Sequence, residues 1–401
     1  MNDSRFFLYQ TKDITSLLVS YLDLTQRWGK VKFFKSLYLK LVEQVKFYFR
    51  KALVFGVSMG VIKSIDSKIT YICEKQDWAI YWDGKSITNQ INSFTKAHHM
   101  IVTHKVHLVK SQIIHFGSQY MWEIWRDLIP PESKVIVNFY HGKHEDGPDV
   151  AKHIEDFISN HKRISVILVA NSIIYKRLID WGIPKNKIKK IFIGVDTKLF
   201  YRRDHHMKLI ARDKLGIPQD AFVVGSFQKD GIGWKSGNKP KYIKGPDIFV
   251  EVLDIISRTN KVTVLLTGPS RGYTKGRLKK LGIDYKHFRV DDYPSMPIFY
   301  HALDLYLITS REEGGPKGLV ESIASGISVV STPVGMAYDL LDKNRIFSDF
   351  DSKKIAIQLN KMIKAKSLLS QIKNETKVID KIDYSQTAKE HLKVYKQLLN
   401  S

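Results

Sequence analysis

"LDLYLITSREEGGPKGLVESIASGISVVSTPVG", residues 303–335, reads as strand, loop, helix and strand within one short stretch. Its apolar run ends at Ser310, two glycines follow, and Pro316 suits a first helical turn, where a missing N–H costs nothing. The spacing therefore predicts a helix beginning at Pro316. "GISVV" then resumes as a second strand. Both strands are continuously apolar rather than alternating, which marks a parallel sheet covered by helices on both faces.

The same alternation extends in both directions. "KITYIC", "HMIVTH", "QIIHFG", "KVIVNFYHG", "ISVILVAN" and "IKKIFIG" read as strands from about residue 66. The charged, aperiodic "YRRDHHMKL" interrupts them, and the pattern restarts with "AFVVGSF", "KVTVLLTG" and "HFRVDD". The fold class is α/β, with two Rossmann-like domains, 66–205 and 206–382, facing each other across a cleft. Residues 1–65 form a basic aromatic extension, and 383–401 a terminal helix expected to dock back toward the first domain. Open parallel sheets bind ligands beyond the carboxyl ends of their strands, so the functional residues belong in the loops there.

A chain of 401 residues with 43% apolar residues can bury both cores. Lys and Arg total 64 against 40 acidic residues, a net charge of +24, which calls for an anionic partner: lipid headgroups, nucleic acid or phosphorylated small molecules. Recognisable nucleic-acid modules do not occur in the sequence, so no nucleic acid is expected. The single Cys73 excludes an internal disulfide framework and suits a reducing compartment. No apolar run is long enough to span a bilayer, and "MNDSRFFLYQTKDIT" lacks signal-peptide character, so a cytoplasmic protein is expected, free or peripheral on the inner membrane face.

Residues 27–53 carry eight basic residues and one acid. Val31, Phe34, Leu37, Tyr38, Leu41, Val45, Tyr48 and Phe49 share one helical stripe flanked by Lys32, Lys35, Lys46 and Arg50. That suits a helix lying in an anionic membrane interface. It equally suits a domain helix docked by its apolar stripe.

Within the opening stretch, Glu313 precedes the helix and Glu321 lies inside it, about 7.5 Å along the axis from Pro316 at 1.5 Å per residue. Gly314 and Gly315 let backbone approach a ligand, and the first-turn N–H groups at Lys317 and Gly318 favour a phosphate. One carboxylate then reaches a ribose and the other a sugar, the geometry of a nucleotide diphospho-sugar. A Walker loop is excluded, because no Gly-Lys-Ser/Thr stands at this helix start.

"SREEGGPKGLVESIASGISVVSTPVG" resembles the E-x7-E donor motif of glycosyltransferase family 4, which has the GT-B fold and retains anomeric configuration. "LVANSIIYKRLIDWGIPKNKIKKIFIGVDTKLF" is similar to the segment closing that family's first domain, and "VVGSFQKDGIGWKSGNKPKYIKGPDIFVEVL" to the opening of its second. The resemblance covers about residues 66–400. It implies that Glu321 holds the ribose, Glu313 the transferred sugar, and Lys244 the donor phosphate. Gly225 and Ser226 stand where the family has a glycine and then an arginine, and Lys229 is a candidate second cation or a plain loop lysine. Gly315-Pro316 replaces the family's Phe-Gly, which shifts the amide contacts by a residue.

His141 matches a family histidine near the reaction centre, and Glu145 and Asp146 are candidates for the acceptor side. The family's glycine-rich acceptor loop is replaced by "YICEKQDWAIYWDGKSI", which makes Trp78, Trp82 and Asp83 acceptor candidates. No metal or other cofactor is expected. The pairs Asp291-Asp292 and Asp349/Asp351 read as surface turns. The expected reaction is hexosyl transfer from a nucleotide sugar to a glycan or glycolipid acceptor at an anionic membrane surface. A soluble acceptor, or a catalytically degenerate membrane-surface or nucleic-acid-binding protein of the same fold, is the alternative.

Overall fold

The computed structural model describes residues 32–75, 79–95, 99–290, 292–367 and 375–401. Trp78, Asp291 and the start of the basic stretch, 27–31, lie outside the described residues, as do the side chains of Phe34, Leu37 and Tyr38. The chain forms two compact units, 1–64 and 65–401. The first contains the helix Lys32–Ser58.

The second unit holds both sheets. Strands β1 (Ile65–Ile72), β2 (Met100–Thr103), β3 (Val109–Phe116), β4 (Lys134–Asn138), β5 (Val166–Val169) and β6 (Ile188–Lys190) form a parallel sheet in the order β2-β1-β3-β4-β5-β6. Strands β7 (Phe222–Phe227), β8 (Val262–Thr267), β9 (Asp284–Phe288), β10 (Leu305–Ile308) and β11 (Ser328–Ser331) form another, in the order β11-β10-β7-β8-β9.

Continuous apolar strands arise because both faces are covered. On β8, Val264 and Leu266 pack with Ile248, Phe249, Val252 and Leu253 of the helix Pro246–Ser257, while Leu265 joins Leu319, Val320 and Ile323 on the opposite face. Alternation by two residues thus persists in direction but not in polarity. Each such fully buried side chain contributes roughly 1.5–3 kcal/mol. In the first domain, Ile69, Tyr71, Ile113, Ile136 and Leu168 pack with Ala388, Leu392 and Tyr395, so the terminal helix Tyr384–Leu399 covers that face.

Two sequence expectations shift. "HFRVDD" was to be a strand, but β9 spans Asp284–Phe288. Among the described residues β9 pairs only with β8, and the ladder ends at Thr267 with Phe288. The helix expected from Pro316 begins at Lys317, with Pro316 as its extended N-cap residue (φ −64°, ψ 119°). Strand order reverses between β1 and β3 and between β7 and β10, which are the switch points where such sheets take ligands.

Candidate functional site

At the second switch point, the loops after β7 and β10 bring Lys244 and Glu313 together. Lys244 closes a 3-10 turn, Tyr242–Lys244, and Gly245 follows it in the left-handed region (φ 61°). A Cβ on Gly245 would lie 1.8 Å from the Thr309 carbonyl oxygen, so only glycine permits this approach to the end of β10. The Thr309 hydroxyl donates to the Gly245 carbonyl (2.9 Å), and Pro246 then opens the next helix.

The β10 loop is fixed by Arg311, which forks onto Asp247 (2.8 and 2.6 Å). Glu313, nearly buried, accepts from Lys244 Nζ (2.6 Å) and Ser310 Oγ (2.9 Å). An ammonium carries three N–H donors, so this pair leaves Lys244 able to contact a phosphate.

His141, in the loop after β4, faces the same cluster from the first domain. Gln119 clips that loop by donating to the His141 carbonyl (2.9 Å) and accepting from the Tyr140 N–H (3.1 Å). Burial lowers the His141 pKa to about 4, the Lys244 ammonium adding to the effect and Glu313 opposing it. At neutral pH this imidazole is uncharged, a hydrogen-bonding group rather than a cation.

Glu321 projects inward from the helix Lys317–Ala324 and is 3% exposed. Its carboxylate accepts from the hydroxyls of Tyr293 (2.5 Å) and Tyr300. Burial raises its pKa, while Lys317 and the two hydroxyls hold it down. Trp82 of the first domain stacks on Tyr293, centroids 5.3 Å apart at 25°. Neither tyrosine carries a sequence signal, because each reaches Glu321 from another element.

Several candidates have other partners than the sequence suggested. Lys317 donates from Nζ to Asp83 (2.6 Å), the Gly194 carbonyl (2.5 Å) and the Tyr384 hydroxyl (2.6 Å). Its ammonium therefore joins the domains, while the expectation for this position concerned its backbone N–H, and Asp83, expected on the acceptor side, is its buried counter-ion. The helix start itself has no capping side chain.

The glycines are explained by protein contacts. A Cβ would lie 2.3 Å from the Tyr140 carbonyl oxygen at Gly314, 2.4 Å from Ile193 at Gly315 and 2.1 Å from the Tyr306 hydroxyl at Gly318. Gly225, inside β7, meets Leu303 in the same way at 2.4 Å. Ser226 is buried and accepts from Arg271 (3.2 Å). The Lys229 ammonium lies over the Trp234 ring, 3.5 Å from its centroid. Glu145 is exposed, and Asp146 accepts from the Lys143 N–H (3.0 Å). Asp351 caps the helix Ser352–Lys364, and Asp349 accepts from the Asp351 N–H.

Sequence reading passed over Glu312, whose carboxylate receives both Arg177 guanidinium arms (2.5 and 3.3 Å) from the first domain. The doubled carboxylate of "REEGG" was the available signal. The Gly314 carbonyl likewise accepts from Asn171. A small pocket beside this seam is lined by Asp83, Asn138, Tyr140, Gly194 and His391. An open cleft along β6, lined by Ser172, Tyr175, Lys185, Lys189 and Lys190, shares no residue with the Lys244, Glu313 and His141 cluster. Among the described residues no group of three or more His, Cys, Asp and Glu side chains is placed to hold a metal ion.

Two parallel sheets, each with its switch-point loops turned to a common seam, define a chain of GT-B architecture. More particularly, residues 219–378, within the second domain, match the model of the glycosyl transferases group 1 family. Over 159 residues the chain is 28% identical to a lipopolysaccharide core biosynthesis mannosyltransferase, LpsB, of Rhizobium meliloti, a match covering 38% of this chain and 42% of that protein. A D-inositol 3-phosphate glycosyltransferase of Catenulispora acidiphila is 29% identical over 171 residues, covering 39% of this chain and 37% of the other. The chain thus spans about two fifths of the curated relatives it matches. In fold it is similar to Anabaena HepE in complex with UDP and glucose, with TM-score 0.66, 16% identity, and coverage of 83% of this chain and 100% of that one. Staphylococcus aureus TarM is a more distant fold neighbour, with TM-score 0.56, 13% identity, and coverage of 77% of this chain and 58% of the other.

Proposed function

We propose that the protein is a retaining glycosyltransferase that moves a hexosyl unit from a nucleotide diphospho-sugar to a hydroxyl of a glycan or glycolipid at a cytosolic membrane face. The observation that carries the reading is the cluster of Lys244, Glu313 and Ser310 at the switch point of the second sheet, facing His141 from the first. Glu321, on the helix that follows Glu313 and held by the hydroxyls of Tyr293 and Tyr300, supplies a second acceptor of hydrogen bonds for the donor's diol. Charge developing on the departing diphosphate is met by Lys244 and the uncapped helix start, which supports departure without a metal. The names of the relatives, and the UDP and glucose bound by HepE, support a nucleotide-sugar donor.

The membrane face is supported by the helix Lys32–Ser58. Leu41, Val45, Tyr48 and Phe55 of this helix, spaced four, three and seven residues apart, are all exposed, and Lys46 and Lys51 are exposed with them. No described helix is long and apolar enough to cross a membrane. The test is a thermal-shift and donor-hydrolysis panel of nucleotide sugars, repeated with Glu321→Gln. One donor should stabilise the protein and be hydrolysed, and the variant should bind it about tenfold or more weakly, as expected for losing a charged hydrogen-bond acceptor. Unchanged donor affinity in Glu321→Gln would remove Glu321 from the site.

A further inference from the structure

The connection after β7 is longer than a strand-to-helix turn requires, and residues 230–242 fold back as a hairpin. Gly231 and Pro240 form an antiparallel bridge, the Ile232 N–H donates to the Lys239 carbonyl (2.8 Å), and the Lys241 N–H to that of Asp230 (2.7 Å). The hairpin is tied down from beneath. Asp230, fully buried, accepts from Thr274 Oγ1 (2.7 Å) and pairs with the equally buried Arg271 (3.2 Å). Ser270 Oγ lies within hydrogen-bond distance of the Gly233 and Lys235 carbonyls (2.9 and 3.1 Å). Gly237 presses so close that a Cβ there would lie 2.1 Å from the Ser270 carbonyl oxygen.

A loop this firmly anchored nevertheless turns large apolar groups outward. Ile232 is 60% exposed, Trp234 57% and Tyr242 58%. Lys235 and Lys239 are exposed beside them, and the stretch's only acid is the buried Asp230. A soluble polyanion would gain from the lysines, and one with stacking faces from Trp234, but nothing from Ile232. Apolar and aromatic side chains interleaved with lysines match the boundary of an anionic bilayer, where both are satisfied at once.

We propose that the hairpin 230–242 is a lipid-contacting element of the second domain, seating Ile232 and Trp234 at the headgroup level and Lys235 and Lys239 on anionic headgroups. Because Lys244 follows two residues after Tyr242, this contact places the donor cluster next to the surface that presents the acceptor. The proposal rests on the membrane-face reading in its choice of partner, but it concerns an element separate from the N-terminal helix.

The experiment compares the full chain, an Ile232→Ser/Lys235→Ser/Lys239→Ser variant and a Val45→Ser/Tyr48→Ser/Phe55→Ser variant. Each is floated with vesicles of phosphatidylcholine containing phosphatidylglycerol, and with phosphatidylcholine alone. The hairpin variant should bind the anionic vesicles about 30-fold more weakly, as two lysines near such a surface imply, with its donor hydrolysis in solution unchanged. An environment-sensitive dye on Ile232→Cys, Cys73 being buried, should shift to the blue on anionic vesicles. If the helix variant alone loses binding and the dye does not respond, the hairpin proposal fails and the membrane reading stands. If the wild-type chain does not float at all, both fail. Loss of binding to a soluble anionic polysaccharide, with vesicle binding intact, would reassign the hairpin to the glycan and overturn the proposal.

Discussion

Replacing Lys244 with Met separates what this side chain does for the fold from what it does for the reaction. In the structure its ammonium sits 2.6 Å from Glu313, the two side chains being 23% and 9% exposed. Removing the cation leaves the Glu313 carboxylate with Ser310 Oγ as its neighbour. A fully buried pair broken this way costs about 3–5 kcal/mol, and the partial exposure of Lys244 sets the expected loss at about 2–3 kcal/mol. The catalytic loss is separate: a preorganised donor aimed at developing charge contributes about 2.7–4 kcal/mol, so kcat should fall by about 10²–10³. The double variant Lys244→Met/Glu313→Gln removes the stranded charge. It should recover most of the thermal stability while kcat stays low. The assay is donor hydrolysis and transfer on the donor found by the nucleotide-sugar panel, with kcat and KM determined separately and Tm recorded for each variant. If Lys244→Met loses stability yet keeps kcat within a few-fold of wild type, Lys244 is a cross-link between the β7 and β10 loops, and the leaving-group role is refuted.

Acid should destabilise the protein through buried neutral histidines. His115, fully buried between Asn138 and Tyr395 (2.9 and 2.7 Å), has its pKa lowered from 6.5 to about 3, by burial first and His391 second. Between those values the unfolded chain binds more protons than the folded one, so stability is full above about pH 6.5 and falls as the pH drops toward 3. His115 alone accounts for about 2 kcal/mol lost by about pH 5. A Tm series over that range should show the slope, and His115→Gln should flatten it; an identical slope in the variant would sink the assignment. Gly314→Ala tests the seam, since its Cβ would lie 2.3 Å from the Tyr140 carbonyl oxygen, backbone that cannot swing aside. Forcing the loop and Tyr140 apart should cost about 1–3 kcal/mol and depress transfer more than donor binding, as titration calorimetry and kcat together would show. Wild-type transfer in this variant would mean that the contact is dispensable.

The strands were legible wherever both faces are buried, because burial on both sides leaves continuous apolar runs such as Val262–Thr267. β9 was misplaced for the converse reason: an edge strand that pairs on one side and stays half-exposed carries little apolar signal. Glu313 and Glu321 were legible because strand, loop and helix position them within a few consecutive residues. Lys244 was named only through the resemblance, and its pairing with Glu313, 69 residues on, was not legible, nor was that of Tyr293 with Glu321, 28 residues on. The glycines show a deeper ambiguity, because a missing side chain makes room equally for a ligand or for another part of the protein. At Gly314 the room goes to Tyr140, and at Gly315 to Ile193.

That ambiguity has a mechanical consequence. Within "EEGGPK", Glu312 binds Arg177, Gly314 binds Asn171 and Lys317 binds Asp83, all on the first domain, while Glu313 between them binds Lys244 on the second. The donor loop and the domain seam are therefore one segment of chain. On the proposed reading, a donor phosphate at Lys244 and the helix start would act on the residues that join the domains, so donor binding and the domain seam are expected to be energetically linked, with the reciprocity that linkage requires.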